Sequence, residues 1–144
     1  CKIKKKVVEK DEKETGLRKV LNFGHTFAHA YEAGLGYSKK LNHGEAVILG
    51  MKTALSFSLR ENMLSKSEYN LIVNHIDNSG LPFSIRKYFS LKDINKILSF
   101  MIKEKKNTSE NINLVLLKRI GKPVFNRQYS KKNLSLFLKK FLTN

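Results

Sequence analysis

Apolar residues return every three or four positions along most of the chain, the spacing of helices that bury one face. Residues 17–33 carry Leu17, Val20, Leu21, Phe27, Ala28 and Tyr31 in this pattern, and Gly34 and Gly36 close it. From about Gly44 to Leu59 the apolar positions (Ala46, Val47, Ile48, Leu49, Met51, Ala54, Leu55, Phe57) are dense enough to predict a largely buried helix. Ser65 with Glu68 forms a capping-box signature, and Tyr69, Ile72, Val73 and Ile76 follow until Gly80-Leu81-Pro82 stops the run. Ser90 with Asp93 opens the next helix, with Leu91, Ile94, Leu98 and Met101 or Ile102 on one face. Residues 112–117 (Ile-Asn-Leu-Val-Leu-Leu) predict a strand, Gly121-Lys122-Pro123 a turn, and Val124–Phe125 a second short strand. Ser130 opens a last helix with Leu134, Phe137, Leu138 and Phe141 inward. The pattern predicts a mainly α fold, a multi-helix domain of five or six helices with a small β hairpin.

Composition narrows the setting. With 144 residues, 41% of them hydrophobic, the chain suits one domain with a real core. The single Cys, at position 1, excludes a disulfide framework and a Cys-based zinc finger. No apolar run approaches the roughly 18 residues of a membrane span. The opening Cys1-Lys2-Ile3-Lys4-Lys5-Lys6 does not read as a signal peptide. A cytoplasmic protein without a membrane partner is expected. The charged start without Met predicts a piece of a longer chain.

The net charge of +16 raises the question of nucleic acid. Of the 28 basic residues, 23 are Lys and 5 are Arg, whereas bidentate recognition of phosphates and base edges favours Arg. The Lys are spread from Lys2 to Lys140, and 13 Asn accompany them, a composition-wide bias rather than one basic face. Nucleic acid is therefore not the expected partner. A local cationic pocket for a small anion remains open.

Three of the four His fall close together, in Asn22-Phe23-Gly24-His25-Thr26-Phe27-Ala28-His29-Ala30-Tyr31-Glu32 and in Asn42-His43-Gly44-Glu45. His25 and His29 are four apart, so on a helix they share a face and could grip a divalent metal. Thr26 stands where a zincin carries its general base, which disfavours a metalloprotease. Alone, such a pair is more often a solvated or structural feature. The surroundings shift the balance: Gly24 permits close backbone approach, His43 sits at a helix entry, and Glu32 could serve as a ligand or orient one. On a continuous helix Arg18, Asn22, His25 and His29 would form one polar stripe, suited to a metal plus a carboxylate or phosphate. His75 has no polar companions and reads as structural or exposed.

The run Lys4-x-x-Val7-Val8-x-x-Asp11-Glu12-x-Glu14-x-Gly16-Leu17-Arg18-x-x-Leu21-Asn22-Phe23-Gly24-His25-Thr26-x-x-His29-Ala30-x-Glu32-Ala33, followed by Gly36-Tyr37 and His43-Gly44-Glu45-Ala46-Val47-x-x-Gly50-Met51, closely resembles the C-terminal domain of the 3-dehydroquinate synthase family. The likeness continues through Gly80-Leu81-Pro82, Lys105-Lys106, Leu114–Leu117 and Ile120-Gly121-Lys122, and so spans nearly the whole chain. It implies the α-domain of the dehydroquinate synthase-like fold. The implied reaction converts 3-deoxy-D-arabino-heptulosonate 7-phosphate to 3-dehydroquinate and phosphate in the shikimate pathway, using NAD and zinc, or cobalt in its place. The resemblance further implies that His25 and His43 are zinc ligands and that a carboxylate from an N-terminal domain is the third. His29 then faces the substrate phosphate, and Lys4, Arg18, Asn22 and Lys105 hold substrate carboxylate, hydroxyls or phosphate; Lys106 is the alternative to Lys105. His29 and Lys105 are the catalytic candidates.

Departures from the family pattern are Ala28 for a usual Gly, Glu104 for a usual Asp, and one extra residue before His43. A dinucleotide-binding half is not in this sequence, so NAD would be held mainly by an N-terminal domain. The chain is expected to be inactive alone and homodimeric at full length. Sister sugar-phosphate cyclases that make inosose or valiolone rings are the nearest alternative. A basic helical nucleic-acid module and a standalone metal-binding domain are more distant ones.

Overall fold

Two helices that cross at a pair of glycines organise the fold. The computed structural model describes residues 2–12, 16–81, 84–103 and 111–143. Helix α1 (Lys2–Lys10) is followed by a 3-10 turn (Leu17–Asn22), α2 (His25–Gly34) and α3 (His43–Arg60). Then come α4 (Lys66–Asn78), short 3-10 turns at Ile85–Lys87 and Leu91–Asp93, and α5 (Ile94–Lys103). Strands β1 (Asn111–Arg119) and β2 (Lys122–Ser130) and helix α6 (Lys131–Thr143) complete the order. The mainly α domain with one antiparallel hairpin is the architecture that the apolar pattern predicts.

Helix α3 is apolar around most of its circumference because neighbours cover several sides. Ala46, Leu49, Ala54, Leu55 and Phe57 are all buried, against α2 on one side and β1 on another. Gly50 of α3 meets Gly24, the residue just before α2. A Cβ on Gly50 would run into the Gly24 carbonyl oxygen, and one on Gly24 would lie 2.5 Å from the Met51 nitrogen. Gly24 also has φ +81°, which glycine adopts without steric cost. The close approach expected of Gly24 is thus met by a second glycine on the facing helix.

The remaining elements close one core. Helix α5 contributes Ile94, Ile97, Leu98 and Met101. Leu91, expected on that face, is 52% exposed because it belongs to the preceding 3-10 turn, out of register with the α-helix. The Ser90–Asp93 cap forms as expected, Ser90 N–H donating to Asp93 Oδ2 at 2.8 Å. Helix α6 buries Leu134, Phe137, Leu138 and Leu142, while Phe141 is half-buried and stacks on Phe137. Helix α4 begins at the Ser65 cap and buries no residue fully; His75 on it is exposed.

The hairpin is longer than its apolar core suggests. Ile112, Leu114 and Leu116 point inward with period two. The turn is Ile120–Gly121, not Gly121-Lys122-Pro123, and Pro123 lies within β2 opposite Leu117. A two-stranded sheet tolerates this proline, because every strand in it is an edge. The Leu117 N–H donates instead to Ser58 Oγ of α3 at 3.0 Å, and Ser58 donates to Ala54 O at 2.7 Å. Asn126 (φ +60°) sits at a bulge and accepts from Lys19 Nζ at 2.9 Å, tying β2 to the 3-10 turn after α1. Among the described residues no helix is long and apolar enough to cross a membrane.

Candidate functional site

The backbone turn at Phe23-Gly24 decides which polar residues share a face. A continuous helix from Arg18 to His29 is not formed: residues 17–22 make a 3-10 turn, and Gly24 at φ +81° starts a new helix. The single stripe of Arg18, Asn22, His25 and His29 is therefore broken between its second and third members. His25 and His29 keep their four-residue spacing on α2, with ring centroids 5.7 Å apart at right angles. The loop from Leu35 to Asn42 returns the chain so that His43, first residue of α3, joins them. Its centroid is 6.3 Å from each of the other two. Asn42 fixes that helix start, its N–H donating to Glu45 Oε2 at 2.9 Å.

Oxygen acceptors set the tautomers of two of the rings. His43 Nδ1 lies 3.1 Å and 3.2 Å from the two carboxylate oxygens of Glu32. A carboxylate only accepts, so Nδ1 is the donor, and in the neutral ring Nε2 then carries the lone pair. His25 Nδ1 faces the Phe23 carbonyl at 3.4 Å, which favours the same tautomer. Both imidazoles thus present the nitrogen that a metal needs.

This donor set fits zinc as part of a site. Two imidazoles on one ion sit roughly 5–6 Å apart, centroid to centroid, for Zn–N bonds of about 2.0 Å. The 6.3 Å between His25 and His43 needs only a small side-chain adjustment to reach that range. Among the described residues no three His, Cys, Asp or Glu groups are arranged to hold an ion by themselves. A donor from elsewhere would have to complete the shell.

Behind the rings α2 is bolted to α3. Thr53 Oγ1 donates to Leu49 O at 2.8 Å, so the buried Tyr31 hydroxyl must donate to Thr53, also at 2.8 Å. Burial pushes the Tyr31 phenol well above its usual range, which keeps it a donor. His29 also lines a shallow depression of ≈ 240 Å³ with Ala33, Tyr37, Phe100 and Lys103. Tyr37 enters the sequence reading only within the family-like Gly36-Tyr37 pair, and Lys103 does not enter it, because its place beside His29 depends on the packing of α5 against α2.

The other candidates lie at the N-terminal end or outside the described residues. Lys4 is exposed on α1. Arg18 is half-buried; its N–H donates to Asp11 Oδ2 at 2.8 Å and its Nη1 to Glu12 O at 3.0 Å. Asp11 Oδ2 also accepts from Gly16 N–H at 2.8 Å, so one carboxylate oxygen holds the backbone on both sides of Leu17. Asn22 is exposed at the end of the 3-10 turn. Lys105 and Lys106 lie outside the described residues, as does Pro82 of the helix stop.

Comparison with known proteins bears on the same segment. The 3-dehydroquinate synthase of Pelagibacter ubique is 62% identical over 143 residues, 99% of this chain and 39% of the relative. That of Leptospira interrogans is 41% identical over 137 residues, covering 95% of this chain and 36% of the relative. The chain thus spans well under half the length of these relatives. A 2-epi-5-epi-valiolone synthase from Streptomyces hygroscopicus, solved with NAD+ and Zn2+ bound, superposes with a TM-score of 0.72 at 19% identity, over 96% of this chain and 37% of that one. A 2-deoxy-scyllo-inosose synthase complexed with carbaglucose-6-phosphate, NAD+ and Co2+ gives 0.74 at 23% identity, over 96% and 38%. At these identities the two structures establish the shared fold. Residues 1–107, which contain all three clustered histidines, match the family described as 3-dehydroquinate synthase C-terminal, and the chain belongs to that family.

Proposed function

We propose that this chain is the metal- and substrate-anion-binding half of a 3-dehydroquinate synthase, acting with an N-terminal NAD-binding domain of the same protein. The observation that carries the reading is the convergence of His25, His29 and His43 within 6.3 Å of one another. His25 and His43 would hold zinc, or cobalt, through Nε2, with a carboxylate from the N-terminal domain as the third ligand. When bound, the metal supplies Lewis acidity at a substrate hydroxyl, and NAD the reversible redox chemistry.

This chain's own residues position and neutralise the substrate. Lys4, Arg18, Asn22 and Lys105 hold the carboxylate, hydroxyls and phosphate of the heptulosonate phosphate. Clamping both anionic ends orients the ring carbon toward the metal side of the site, and orientation accounts for much of the rate. His29, on the same helical face as His25, faces the phosphate and holds or moves a proton at its leaving oxygen. The reading places the protein in the shikimate pathway, in the cytoplasm, as a homodimer at full length.

The test is phosphate release from the heptulosonate phosphate, with NAD and zinc, by the full-length protein and its His43→Ala variant. Release that His43→Ala abolishes supports the reading. No release from a folded, metal-loaded wild type points to a sister cyclase that makes an inosose or valiolone ring. Release indifferent to His43 overturns the ligand assignment.

A further inference from the structure

Glu32 stands out because its carboxylate is committed. Both of its oxygens lie within hydrogen-bonding reach of the same atom, His43 Nδ1, at 3.1 and 3.2 Å. The two side chains are unequal: Glu32 is 15% exposed and His43 63% exposed. The carboxylate is therefore the fixed partner, set in the last turn of α2, and the imidazole takes its orientation from it. The contact also bridges α2, which carries His25 and His29, to the first residue of α3. Without it, an exposed histidine at a helix entry would sample several rotamers and both neutral tautomers.

We infer that Glu32 is a positioning residue, which holds His43 in the Nδ1–H tautomer and turns Nε2 toward the metal shared with His25. The inference rests on the zinc reading above and chooses between the two roles open to Glu32 in the sequence, ligand or orienter. With both oxygens directed at Nδ1, the carboxylate acts on the metal through the ring. Such partners typically change metal affinity about 10–100-fold when removed.

The experiment measures Zn2+ affinity of the full-length protein by competition with a chromophoric chelator, and the visible spectrum of the Co2+-loaded form, in wild type, Glu32→Ala, Glu32→Gln and His43→Ala. Glu32→Ala should weaken Zn2+ about 10–100-fold and alter the Co2+ spectrum. Glu32→Gln keeps an oxygen acceptor in place and should restore most of both. Equal losses in the Ala and Gln variants would overturn the role, because they would make the charge or direct ligation the contribution. Unchanged affinity in Glu32→Ala beside a large loss in His43→Ala would overturn it while leaving the zinc reading intact. An unchanged His43→Ala would sink the zinc reading itself. Nitrogen chemical shifts of the wild-type metal-free protein add a check that needs no variant to fold. In the neutral His43 ring, the Nδ1–H tautomer supports the inference and the Nε2–H tautomer refutes it.

Discussion

Replacing Gly50 by Ala adds one methyl group where two helix backbones touch. The new Cβ would overlap the Gly24 carbonyl oxygen and lie 2.9 Å from the Ala28 nitrogen, where ordinary contacts begin at 3.4 Å. Both obstacles are backbone, so no flexible side chain can yield, and α2 must move away from α3. Overpacking of this kind costs up to about 3 kcal/mol. The Ala28 N–H···O Gly24 bond that starts α2 (3.0 Å) lies under the intruding methyl, and its distortion adds about 1 kcal/mol. The intrinsic helix preference of Ala over Gly offsets about 1 kcal/mol of this, leaving a net loss of about 3 kcal/mol. Gly44, also in α3, is the control: a Cβ there meets nothing within 4 Å. Gly44→Ala should therefore be neutral or stabilise by up to about 1 kcal/mol. Urea unfolding of the three proteins, compared through their midpoints at a common slope, reads both numbers. A Gly50→Ala midpoint within error of wild type would refute the idea that this glycine pair sets the approach of the two histidine-bearing helices.

Two further outcomes follow from polar contacts between elements. Ser58→Ala should cost about 1–3 kcal/mol in the same unfolding assay, because it leaves the Leu117 N–H without its acceptor at a strand position opposite proline; a loss below about 0.5 kcal/mol would mean that another acceptor takes over. Glu68 accepts from the Ile120 backbone N–H and from Ser65, and these bonds lower its pKa below the usual glutamate range. The native state then binds fewer protons than the unfolded chain just below that range, so the Glu68 contribution is complete at neutral pH and is lost as pH falls from about 4.3. Glu68→Gln should flatten this part of the stability–pH curve, and an unchanged acid slope would refute the assignment.

What the sequence made legible follows from what each element rests on. Helices α3, α4 and α6 form where the apolar spacing puts them, whereas the start of the predicted fifth helix is a 3-10 turn that leaves Leu91 out of register with α5. Helix α1 buries nothing, so it left no core pattern among its lysines to read. Strand β2 continues through Asn126, Arg127 and Gln128, held by pairing with β1 and by Lys19 rather than by side chains that alternate. The candidate site divides in the same way. The His25–His29 pair is local, four residues on one helix, and periodicity alone finds it. The break ahead of it depends on Gly24 meeting Gly50, a tertiary contact that no helical template contains. His43 reaches the pair only through the path of the Leu35–Asn42 loop, which also brings its ring to Glu32. Spacing could therefore nominate Glu32 without choosing its role. That choice depends on which atom the carboxylate oxygens approach, and they approach the Nδ1 of a histidine on another helix.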